Sequence, residues 1–111
     1  MKKLILAASL AALFTAGQAL AETIKIGVTP AEHAQIMEQV KKIAAAKGLD
    51  IDIIEFSDYV VPNQALDAGE LEANSFQNQP YLDNQVKDRG FKIESAGLTV
   101  NFPLGIYSAK Y

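Results

Sequence analysis

Five residues carry most of the recognisable chemistry in this chain: Tyr59, and Phe76 followed directly by Gln77, Asn78 and Gln79. Aromatic rings beside side-chain amides suit a small, partly apolar ligand that is neutral or zwitterionic. The rings enclose its apolar part, while the amides hydrogen-bond its polar ends without contributing charge. The same residues admit a plainer reading, with Phe76 in a core and Tyr59 anchoring a loop. Pattern alone leaves both open.

Little else is reactive. His33 is the single histidine and cysteine is absent, so spacing offers no recognisable zinc or copper set. His33 falls in the first turn of a predicted helix, where a solvated surface residue is expected. Glu70 and Glu72 flank Leu71 and read as the wet face of a strand rather than a carboxylate pair. The chain has no G-x-S-x-G elbow, no H-E-x-x-H and no phosphate-binding glycine loop. Ser57, Ser75, Ser95 and Ser108 have no His–Asp partner nearby in sequence. The expectation is a binding protein without cofactor, metal or catalysis.

The elements that must position these residues can be read from periodicity. Ile24, Ile26 and Val28 alternate with polar neighbours over 23–28, as a half-buried strand requires. Thr29-Pro30-Ala31-Glu32 predicts a helix start, with Thr29 as N-cap, Pro30 at the first position and Glu32 completing a capping box. Ile36, Val40, Ile43 and Ala44, joined by Met37, keep helical spacing until Gly48 supplies the stop. A second strand is expected over 49–56, a short helix over 63–68 closed by Gly69, and a brief strand over 71–74. Pro80 opens a third helix that runs to Gly90, and 91–96 and 100–108 read as two last strands.

The order β-α-β-α-β-α-β-β implies parallel pairing and an open α/β sheet. Such sheets bind ligands beyond the carboxyl ends of their strands. Three segments are expected there: 29–33, 57–59 and 74–78.

Residues 1–21, MKKLILAASLAALFTAGQALA, have the order of a secretory signal: Lys2 and Lys3, an apolar run from Leu4 to Ala16, then Ala19-Leu20-Ala21. Cleavage is expected between Ala21 and Glu22. The run is shorter than the roughly 20 residues a membrane-spanning helix needs. Removing these residues takes away two lysines and none of the 13 acidic residues, so the formal charge moves from −3 to −5. That balance excludes a nucleic-acid footprint and a polybasic lipid-binding stretch. With half its residues apolar and no linker-like tract, the remainder reads as one small continuous unit.

Four strings then occur in order: I-K-I-G-V at 24–28, F-S-D-Y-V-V-P-N-Q-A-L at 56–66, G-E-L-E-A-N-S-F-Q-N-Q-P-Y-L-D at 69–83 and K-D-R-G-F-K at 87–92. Through them the chain resembles the NlpA-type family of methionine-binding lipoproteins, the substrate-binding components of methionine ABC importers. The resemblance covers residues 22–111. It implies a bilobed periplasmic-binding-protein fold with two crossovers, which traps its ligand in the cleft between the lobes. Tyr59 and Phe76 would be cleft aromatics around a thioether, a contact that rings make favourably with sulfur. Gln77 and Asn78 would join them as ligand-binding residues.

The implied partners are a methionine-like amino acid and an ABC permease in the inner membrane, and a monomer is expected. Asn78 stands where the family commonly places a histidine, so another amino acid, a dipeptide or a sulfur compound is the alternative ligand. A small exported enzyme or a ligand-free surface antigen is a more distant alternative. The family's lipobox cysteine is missing, so a periplasmic protein without lipid anchor is expected, although the family is usually membrane-anchored. Family members are more than twice as long, and this chain stops inside P-L-G-I-Y-S-A-K-Y. Residues 22–111 are therefore expected to be most of a first lobe, from a fragment or a truncated gene.

Overall fold

The computed structural model describes residues 22–110; the expected signal segment, residues 1–21, and Tyr111 lie outside the described residues. Three parallel strands form the sheet: β1 (Thr23–Val28), β2 (Asp50–Glu55) and β3 (Ala73–Ser75), in the order β2-β1-β3. Their connections are helices α1 (Glu32–Ala45) and α2 (Val61–Asp67), and α3 (Gln79–Arg89) comes after β3. The α/β class with a parallel sheet is as the alternating elements predict.

Central position explains the composition of β1. It pairs with β2 along its whole length, with Ile24 opposite Ile51 and Ile26 opposite Ile53, and with β3 at its carboxyl end, where Val28 meets Ser75. Val28 is wholly buried, and Ala34 and Met37 of α1 pack on it with Ile26 and Ile53 alongside. Val28 and Met37 each contribute about 1.5–3 kcal/mol by leaving water, and Ala34 and the partly buried isoleucines less. Glu72 extends the β1–β3 edge: its N–H donates to the Lys25 carbonyl, and its carboxylate accepts the Lys25 N–H at 2.7 Å. Both Glu70 and Glu72 are exposed, but they precede β3 and so do not form a strand face as expected.

The structure departs from the periodicity in five places. The capping box at Thr29 does not form: Thr29 is buried, and the chain turns once more through Pro30 and Ala31 before the helix begins. Ala31 takes the N-cap place at φ 66° and ψ −117° without a side-chain cap, a conformation that costs a non-glycine residue about 1–3 kcal/mol. The core face of α1 is consequently Ala34 and Met37, while Ile36, Val40 and Ile43 stay more than a third exposed. Helix α2 starts two residues before Asn63, because the Asp58 carboxylate caps its entry.

The fourth departure concerns the last two expected strands. Residues 91–96 and 100–108 have strand-like composition but form no strand. A strand needs a neighbour for its backbone groups, and these segments pair with neither edge of the sheet. Lys92 N–H instead donates to the Asp67 carboxylate at 2.7 Å. The brief third strand also lies later than expected, at Ala73–Ser75.

Gly27 shows how tightly the carboxyl end of β1 is packed. A Cβ there would lie 2.8 Å from Leu71 Cδ1 and 2.9 Å from the Phe56 ring. Gly27→Ala is expected to destabilise the fold by about 1–3 kcal/mol through overpacking, read as a lower urea midpoint at unchanged slope.

Candidate functional site

All three strands end on the same side of the sheet because all three are parallel. The chain leaves β1 through 29–33, β2 through 56–60 and β3 through 76–78. Between these segments lies a groove of about 490 Å³, lined on one side by Thr29 through His33 and on the other by Phe56, Ser57, Tyr59 and Phe76. Phe102, from the segment after α3, closes one flank. The three segments expected at strand ends are therefore the ones that meet.

Tyr59 and Phe76 stack with ring centroids 6.3 Å apart and planes 23° from parallel. They differ in depth. Phe76 is 8% exposed and seated in the core, whereas Tyr59 is 64% exposed. Two roles thus meet in Phe76: it belongs to the core and also floors the groove. His33 is half-buried rather than fully solvated, and it meets the Phe102 ring edge-on at 5.6 Å. A ligand lying here would meet aromatic faces below and the first turn of α1 at the side. Among the described residues no cluster of His, Cys, Asp or Glu could hold a metal ion.

The amides expected beside the rings are engaged by the protein itself. Gln77 and Asn63 form a reciprocal pair: Asn63 Nδ2 donates to Gln77 Oε1 at 2.8 Å, and Gln77 Nε2 donates to Asn63 Oδ1 at 2.9 Å. Asn74 Nδ2 adds bonds to Asn63 Oδ1 and to the Pro62 carbonyl, and its Oδ1 accepts from Gln77 at 3.2 Å. Asn78 is the N-cap of α3, its Oδ1 accepting the Tyr81 N–H at 2.9 Å. Neither Gln77 nor Asn78 lines the groove.

Asn63 is the residue that pattern reading missed. It is wholly buried on α2 and anchors the amide network. The available signal was an asparagine inside a short helix, where it is a poor helix former and needs another reason to be there. The network joins α2 to the end of β3 and so fixes the backbone that carries Phe76.

Tyr59 is held from both sides. Asp58 Oδ1 accepts N–H bonds from Val60 at 2.7 Å and Val61 at 2.8 Å, closing the turn into α2. The Tyr81 hydroxyl donates to the Tyr59 carbonyl at 2.6 Å. The bonds from Val61 and then Val60 hold the Asp58 carboxyl below its ordinary value of 3.8.

These contacts lead to two expected outcomes. Asn63→Ala should cost about 2–3 kcal/mol in urea denaturation, since it orphans the Asn74 and Gln77 amides. For Asp58 the folded state favours the ionised form, so its contribution is present above pH 3.8 and is lost as pH falls through the lower folded value. Thermal melts between about pH 5 and pH 3 should therefore show a smaller acid loss for Asp58→Asn, which keeps the acceptor oxygen but does not titrate.

Residues 24–111 match the family model described as NlpA lipoprotein. The D-methionine-binding lipoprotein MetQ of Salmonella typhi is 48% identical over 88 residues, which is 78% of this chain and 32% of that protein. Outer membrane lipoprotein 3 of Mannheimia haemolytica is 42% identical over 110 residues, 97% of this chain and 42% of its own length. Among solved structures, a nutrient binding protein from Burkholderia cenocepacia bound to methionine superposes with TM-score 0.75 at 53% identity, covering 79% of this chain and 37% of that one. An ABC transporter periplasmic substrate-binding protein from Coxiella burnetii superposes with TM-score 0.76 at 44% identity, over 79% and 38%. The chain spans about a third of the length of the MetQ proteins it matches. Its α/β sheet is thus the fold of periplasmic substrate-binding proteins, and by sequence match through every one of its elements the chain belongs to the NlpA lipoprotein family.

Proposed function

We propose that this chain supplies the first lobe of an extracytoplasmic solute-binding protein that delivers methionine, L or D, or a close analogue to an ABC importer. Residues 1–21 direct export and are removed between Ala21 and Glu22; residues 22–111 form most of that lobe. The observation that carries the reading is the Tyr59–Phe76 stack, set in a groove at the carboxyl ends of parallel strands. A methionine-bound protein with the same fold at 53% identity supports the ligand class.

The physical fit is direct. A thioether chain is flexible and polarisable, and sulfur gains about 0.3–1.5 kcal/mol against an aromatic ring. Tyr59 and Phe76 offer two such rings side by side. Gln77 and Asn78 serve the site by holding the loop that carries Phe76, one through Asn63 and the other through the α3 cap. Closure of a second lobe over the groove would exclude water from the ligand, and the closed form would then dock on the permease. No step of this cycle makes or breaks a covalent bond.

Calorimetry on the intact natural protein tests the reading. Heat of binding is expected with methionine, and Tyr59→Ala and Phe76→Ala should each weaken affinity about tenfold or more. Absence of heat with both L- and D-methionine would falsify the ligand assignment. A different amino acid or a dipeptide that alone raises the melting point would replace it.

A further inference from the structure

Tyr81 touches both residues of the aromatic pair without lining the groove. Its backbone is fixed first: it stands in the opening turn of α3, and its N–H is taken by the Asn78 cap at 2.9 Å. From that fixed point its side chain reaches two ways. The ring meets Phe76 edge-on, centroids 6.1 Å apart and planes at 76°. The hydroxyl donates to the Tyr59 carbonyl oxygen at 2.6 Å, across 22 residues of sequence.

This second contact matters because of how little else holds the 57–60 loop. Residues 57–60 form neither helix nor strand, and the Asp58 carboxylate bonds only two and three residues ahead. Among the described residues, the Tyr81 hydroxyl makes the one side-chain hydrogen bond from residues 57–60 to the β3–α3 side. Tyr59 itself is 64% exposed, so packing does little to hold its ring. The separation of the two rings is therefore set through one phenol: its edge abuts one ring and its hydroxyl holds the backbone of the other.

We infer that Tyr81 is a positioning residue for ligand recognition, fixing Tyr59 at its working distance from Phe76. The inference rests on the reading that these two rings hold the ligand. A preorganised pair binds more tightly because the ordering of the loop is complete before the ligand arrives. Losing the anchor leaves the contacts available and makes them costlier to form, which shows mainly as faster dissociation.

The test is Tyr81→Phe in the intact natural protein, which removes the hydroxyl and keeps the ring edge. Methionine affinity measured by calorimetry should fall about threefold to tenfold, the scale of one hydrogen bond. Hydrogen exchange at the Tyr59, Val60 and Val61 amides of the ligand-free protein should quicken, while exchange in β1 and β2 stays as in the wild type. Tyr81→Leu, which removes ring and hydroxyl together, should weaken binding further. In a Tyr59→Ala background Tyr81→Phe should cost less than it does alone, because the ring it positions is already gone. No methionine binding by the wild type would overturn the binding reading and this inference with it. Weakened binding in Tyr59→Ala and Phe76→Ala, together with wild-type affinity in Tyr81→Phe, would overturn the inference alone.

Discussion

A carboxamide shut off from solvent is the constraint on which the geometry of this fold depends. Asn63 is wholly buried, and an amide in that position must find protein partners for its donors and its acceptor. Gln77 satisfies it from one side and Asn74 from another, and Asn74 also takes up the Pro62 carbonyl at the start of α2. Because each bond is directional, satisfying Asn63 fixes α2, the end of β3 and the adjoining loop at one relative placement. An apolar residue there could pack in several ways. The amide network specifies one.

Given that placement, the groove has few further requirements. Parallel strands bring three chain exits to one side, and Phe76 emerges directly from the braced loop with its ring in the core and at the floor of the opening. Asp58 closes the turn that presents Tyr59, and the α3 cap at Asn78 sets Tyr81 behind both. The polar residues around the rings thus work mostly inward, holding backbone. The groove is of mixed character: the rings of Phe56, Tyr59, Phe76 and Phe102 share its lining with Thr29, Glu32, His33 and Ser57. Such a surface can enclose an apolar side chain against its rings and still offer polar groups at its edge. It also agrees with a chain that has one histidine and no cysteine.

Membership of the NlpA lipoprotein family gives this arrangement a context. The chain spans about a third of the MetQ proteins it matches.

Much of this was legible from residues alone. Ile24, Ile26 and Val28 alternate because a half-buried strand has a period of two, and the structure places β1 at the predicted bounds. Gly90 ends α3 in the left-handed region, as a C-terminal glycine should. The strand-helix alternation determined a parallel sheet, and with it the side on which any site must lie. Local rules failed where distant partners decide. Thr29 has good capping chemistry, but it is buried and an extra turn through Pro30 and Ala31 puts the helix start at Glu32 instead. Residues 91–96 and 100–108 have strand composition, but a strand exists only when a neighbour accepts its backbone bonds. Gln77 and Asn78 stood beside an aromatic residue in sequence, yet only the fold could say which way their amides turn. Types and spacing determined the class, the pairing direction and the candidate rings, because those depend on period and local propensity. Tertiary structure alone decided the amide network and the reach of Tyr81 to Tyr59, because hydrogen bonds across 14 and 22 residues leave no trace in local pattern.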